Sequence, residues 1–318
     1  MKILLSLLLI YLLVACSESI DPSSSQSLAK KGIYSANFSA DGEMSFVGSL
    51  YEGGSLWRDN NGIHQRTYNW NHKKDEATAI KAARFSPDNR FLLSADNHRT
   101  LVLWDIQTGK SISFWTAPGE ILDVDLTKDA KFALLGLRDH SAVVFDLQRG
   151  GVKQTFRHQG KVNRVAFGPQ GSIALSGSDD YQAVLWRVEN GEVINRWSHS
   201  NAVNQVAISP DGKTAFTSAQ HEKASLWRVG SGEHIADLDF SGRTYSAVAF
   251  DPQANQLLTG TLSGKITLWA LPEVRVIRSW KITPENWWKH TGISVIALGF
   301  HNQSFLAISS NGYRYQLN

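Results

Sequence analysis

The sequence predicts an all-β protein built from seven units of four antiparallel strands, and three recurring residues predict it. The first is an apolar residue ahead of a tight turn: Phe38, Phe85, Leu126, Phe167, Ile208, Phe250 and Phe300, at intervals of 47, 41, 41, 41, 42 and 50. The second is an aromatic near the end of another strand: Trp57, Trp104, Phe145, Trp186, Trp227 and Trp269. Its intervals of 47, 41, 41, 41 and 42 keep step with the first. Aligning "GKITLW" with "GYRYQL" puts Leu317 in the seventh place. The third is an aromatic ending the following strand: Trp70, Trp115, Phe156, Trp197, Phe240 and Trp280. A fixed period of this length marks a repeat architecture.

The residues between the markers supply the strands. Runs such as "QAVLW" and "KVNRVAF" alternate and are rich in β-branched and aromatic side chains, which suits a pleated, half-buried surface. The turns read "SADG", "SPDN", "GPQG", "SPDG" and "DPQA". Proline in second place presets φ for a type I turn, and Gly, Asn or Asp suits the positions after it. No segment shows a helical period.

The chain opens on Met1-Lys2 and an apolar run through Ala15. That run is of secretory length and too short for a membrane span, which needs ~20 apolar residues. Its end, Leu13-Val14-Ala15-Cys16, resembles a bacterial lipobox. The resemblance implies cleavage before Cys16, with acyl chains on its sulfur and its new amine; two chains anchor a protein stably where one does not. Ser17 follows where inner-membrane lipoproteins carry Asp, which implies the outer membrane of a Gram-negative cell, facing the periplasm. "SESIDPSSSQS" has linker composition. The expected organisation is a signal peptide at 1–15, a linker at 16–26 and the repeat domain at 27–318.

Composition narrows the function. Cys16 is the sole cysteine, so an internal disulfide framework or a CxxC site is excluded. The net charge is +3 and the basic residues are dispersed, so nucleic acid is not an expected partner. Neither a GxSxG elbow, a P-loop nor HExxH occurs; "HEKAS" at His221 lacks the second ligand. Neither a metal nor another cofactor is expected.

Seven four-stranded units of about 41 residues, with a Trp near the end of each third strand, resemble the WD40 β-propeller, over residues 27 to 318. Only Trp104-Asp105 preserves the WD dipeptide. The family's hydrogen-bonded Asp, six residues before the Trp, is kept as Asp139 and Asp180 and replaced by Tyr51, His98, His221 and Ser263. Only the fourth unit carries the set His158, Ser176, Asp180 and Trp186, whose role by resemblance is to cross-link strands. The expected fold is a seven-bladed β-propeller. Its last blade lacks an outer strand unless Gln26–Lys31 supplies one and locks the ring.

In such a ring the chain enters at the bottom face, about ten residues after Cys16, so that face is expected to meet the bilayer. The top loops would project toward partners. The longest, "KITPENWWKHTG", carries Trp287, Trp288, Lys289 and His290, a composition enriched at binding hot spots. Arg138, Asp179, Tyr181, His221 and Arg243 are further candidates. The expectation is a monomeric, non-enzymatic interaction module held to the membrane and binding envelope proteins. The alternatives are a propeller enzyme or a quinone- or small-ligand-binding protein, suggested by "DIQTGKSISFW", and an outer-membrane assembly factor.

Overall fold

The computed structural model describes residues 20–29, 32–49, 52–60, 63–72, 78–238, 244–283 and 292–318. They form seven four-stranded antiparallel sheets. Each sheet is a meander whose first strand lies innermost, and each inner strand packs against the next; Ile33–Phe38 meets Val295–His301 to complete the ring. The molecule is a seven-bladed β-propeller with blades at 33–70, 80–116, 121–157, 162–198, 203–238 and 245–281, the seventh being completed from both ends of the chain. The upper face is the one bearing the turns between second and third strands.

The three markers have one physical origin. The first ends six of the inner strands and is the penultimate residue of the seventh, pointing into the seams between blades. The third marker of one blade packs on the second marker of the next: Trp70 on Trp104 at 4.8 Å, Phe156 on Trp186 at 5.5 Å and Trp197 on Trp227 at 5.2 Å between ring centroids. Large rings in contact bury the most apolar area per residue, so the two series cannot drift apart. In the last blade Leu317 replaces the aromatic, and Trp280 turns to Phe305 at 5.4 Å.

Polar side chains stitch the inner strands across the seams. Val165 and Phe167 donate their backbone N–H to Asp123 (3.0 Å) and Asp125 (2.7 Å). Ser35 donates to Ile80 O, Asn163 to Val203 O, Asn204 to Tyr245 O and Gln205 to Ser246 O. These bonds satisfy backbone groups that have no strand partner on that side. They surround a central channel of about 360 Å³. On one wall Arg84 lies 3.4 Å from Asp125; burial raises the pKa of Asp125, with Arg84 opposing. Ala166, Ala207, Ala249 and Gly299 form the facing wall.

Ring closure comes from the N-terminal side, with a shifted register. The pairing strand is Ser24–Ser27 rather than Gln26–Lys31. It runs antiparallel to Tyr313–Leu317, from Ser24 opposite Gln316 to Ser27 opposite Tyr313. Gln26 also donates to His64 O at 2.7 Å, which ties the closing strand to blade one. Contact with the ring begins earlier still. Ile20 forms a parallel bridge with Trp280: its N–H donates to Ser279 O at 3.0 Å and its carbonyl accepts from Lys281 N at 3.2 Å. The ring is thereby joined at Ile20, four positions after Cys16, where the sequence reading expected about ten. Cys16 itself lies outside the described residues.

Candidate functional site

The upper face is built on one backbone feature repeated in every blade. The turn before each third strand holds a residue in the left-handed region: Gly53, Arg99, His140, Tyr181, His221, Gly264 and Gly312. Glycine takes this conformation freely, whereas other residues in it store ~1–3 kcal/mol of strain each. Four consecutive blades therefore hold a large side chain where glycine would relax the turn. Their geometry is over-determined, since the carbonyls of Arg99, His140 and Tyr181 accept from Ala117, His158 and His199 N–H at 2.8–2.9 Å. All four side chains are exposed, Tyr181 by 49%. At the mouth of the channel Lys81 Nζ sits 4.0 Å from the ring centroid of Tyr34, itself 45% exposed.

The candidates from the sequence divide into three groups. Tyr181 and His221 belong to this strained series. Arg138 and Asp179 share the face but are engaged in ion pairs, Arg138 with Glu120 at 3.1 Å and Asp179 with Lys161 at 3.0 Å. Asp179 also accepts from Asn163 at 2.7 Å. Arg243, Trp287, Trp288, Lys289 and His290 lie outside the described residues. The sequence reading missed Arg99 and His140. Both sit five residues before the second marker, in line with Tyr181, Gly264 and Gly312, so register against the glycines was the signal.

Below the upper turns lie the cross-linking sets. In blade four His158 Nδ1 is 2.9 Å from Asp180, His158 Nε2 is 2.8 Å from Ser176 Oγ, and the Trp186 indole donates to that oxygen at 3.2 Å. Ser176 and Trp186 are completely buried, so the serine offers no surface to a substrate and the set acts as a brace. Asp139 accepts from Ser141 N in its own turn, and Asp105 accepts from Thr108 N and Oγ1.

Blade four is not alone in carrying the full set, which corrects the sequence reading. In blade two His72 bridges Asp96 (3.1 Å) and Ser94 (2.8 Å), and Trp104 donates to Ser94 at 2.8 Å. Blade five uses His199, Thr217, Glu222 and Trp227: His199 lies 3.3 Å from Glu222 and 3.0 Å from Thr217 Oγ1, to which Trp227 donates at 2.8 Å. The acid has moved two residues earlier in one blade. In the other it is one residue later with a longer side chain.

Electrostatics follow from these contacts. Burial raises the pKa of Asp180, but the His158 hydrogen bond, the N–H groups of Gln159 and Gln182 and the His158 charge outweigh it and hold the value at about 2. Asp96 is lowered in the same way by His72, Thr100 and His98 against its burial. His199 is lowered by burial, with Glu222 opposing. Among the described residues no three His, Cys, Asp or Glu side chains are grouped to hold a metal ion.

Fold and cross-linking sets together define a seven-bladed β-propeller with WD40 repeats. Three segments, 65–105, 150–187 and 191–228, match the family described as WD domain, G-beta repeat. Each runs from an outer strand to the third strand of the following blade and ends at or just after Trp104, Trp186 or Trp227. They contain the three blades with complete sets. No curated protein matches the chain.

Proposed function

We propose that this protein is a periplasmic lipoprotein whose propeller binds protein partners through its upper face, without catalysis. The observation that carries the reading is the strained series Arg99, His140, Tyr181 and His221. Strain kept at exposed positions of a rigid scaffold, beside the Tyr34–Lys81 pair, marks a surface maintained for contact. Its tyrosines and arginine are residue types enriched at interaction hot spots. The lipobox-like Leu13–Cys16 places the anchor on Cys16, and the two acyl chains implied there hold the protein to the outer membrane.

Photo-crosslinking residues placed at Arg99 and Tyr181, and at Lys110 on the lower face, test this in cells. Discrete protein adducts should form from the two upper positions and disappear in a His140→Gly/His221→Gly chain. Adducts confined to Lys110, or equal from all three, would sink the reading. Mass analysis of the mature N-terminus checks the anchor, and Cys16→Ser should release the protein from membranes.

A further inference from the structure

The outer strand of blade six, Arg275–Lys281, exposes its first four residues in succession, which no other outer strand does among the described residues. Arg275, Val276, Ile277 and Arg278 are all exposed, Val276 by 39% and Ile277 by 42%. Two adjacent strand residues normally face opposite sides. Here Val276 pairs with Trp269 and Arg278 with Leu268, so Ile277 is the extra residue of the bulge that the outer strands of blades one to six share; only in blade six do the residues on both sides of it stay exposed. The same edge receives the N-terminal segment: Ile20, 48% exposed, is bridged to Trp280. The same blade edge thus carries three aliphatic side chains and two guanidinium groups, with Ile20 opposite Trp280, three residues along the strand from Ile277. Asp21 and Glu273 are the acids exposed on the same rim.

We infer that this patch is a membrane-docking surface whose occupant is the lipid headgroup layer; the inference rests on the proposed anchor at Cys16. Three residues separate Cys16 from Ile20, so four Cα–Cα steps give a reach of at most ~14 Å. The polar layer of one leaflet is itself about 5–8 Å deep. An acylated Cys16 therefore brings blade six against the bilayer whatever path the intervening residues take. Ile20, Val276 and Ile277 then meet the boundary between headgroups and acyl chains. Arg275 and Arg278 lay their stems on that apolar surface and reach lipid phosphates. Asp21 and Glu273 offset part of the charge, so contact survives at high salt, unlike a purely electrostatic patch. The ring stands on its rim instead of lying on its lower face, and the upper face opens sideways along the membrane.

The test uses the full acylated chain, in which Cys16 is blocked and an introduced cysteine is the sole free thiol. Ile277→Cys, and Val152→Cys on blade three as control, are labelled with a fluorophore. They are reconstituted in phosphatidylethanolamine–phosphatidylglycerol vesicles carrying a headgroup nitroxide. Quenching should be several-fold stronger at 277 than at 152, persist in high salt, and fall in an Arg275→Glu/Arg278→Glu chain. Equal quenching in the anchored protein overturns the docking surface while leaving the anchor standing. Shielding of 277 from aqueous iodide without nitroxide quenching also overturns it, because a second copy then covers the patch. If Cys16 itself takes the label and the unsubstituted chain stays in the aqueous phase, anchor and docking fall together.

Discussion

At the residue scale the propeller depends on a few buried polar atoms with no slack in their partners. Ser176 Oγ serves both the Trp186 indole and His158. Ser176→Ala strands two buried groups and should cost about 1–3 kcal/mol in denaturant unfolding; Ser231→Ala, in an exposed turn, is the control and should leave stability unchanged. His64 is the second case. Its Nε2 lies 2.7 Å from Ser45 Oγ. Burial first, then the charge of Arg314, lowers its pKa to about 4, with Asp59 opposing. The unfolded chain protonates His64 as pH falls through 6.5, whereas the folded protein resists until about 4. The unfolded state binds more protons in that window, so stability should fall as pH drops from about 6.5 to 4. Unfolding at pH 7 and pH 5 should show a larger loss for the unaltered protein than for His64→Gln; equal losses would assign the slope elsewhere. Asp180 acts in the opposite part of the range, its contribution being lost only as pH falls below its ordinary value toward about 2. The brace in blade four was legible because its residues keep family spacing. Those in blades two and five were hidden because Asp96 and Glu222 hold the acid's place in space but not in sequence.

At the element scale, strand identity was legible and strand register was not. The markers located the sheets because each aromatic is constrained by a partner one blade away. Closing-strand register depends on a short polar segment, "SSSQS", in which no apolar residue favours one alignment. Ser24–Ser27 won because Gln26 then reaches His64 O and Leu28 N–H reaches Gly312 O. Deleting residues 20–27 removes the Gln26 bond to His64 O together with the whole pairing of Ser24–Ser27, and exposes the edge of Tyr313–Leu317. Calorimetry should show a melting temperature lower by roughly 10 °C, from several bonds at ~1 kcal/mol each. The same deletion should promote association through the open edge. An unchanged melting temperature would mean that the seam is held by apolar contacts alone.

At the scale of the whole molecule, the period announced a ring, and topology then made one face of it the collection of second-to-third-strand turns. Which side chains of that face belong to the left-handed series was only partly legible. Binding surfaces are the non-repeating part of a repeat protein, and Tyr181 and His221 stand out by residue type whereas Arg99 and His140 stand out by backbone conformation. One feature governs how the molecule is made. Blade seven takes three strands from the C-terminal end and its fourth from Ser24–Ser27, with Ser23 and Gln316 in contact across 293 positions of sequence. The length-dependent part of that closure entropy is roughly 5 kcal/mol, so closure should be the late event of folding. During synthesis six blades can assemble in order while the seventh waits for residues 313–317. A chain interrupted before that point presents an unmated edge to proteases and chaperones, and one that has reached Leu317 conceals it: the seam reports that every blade before it has been made.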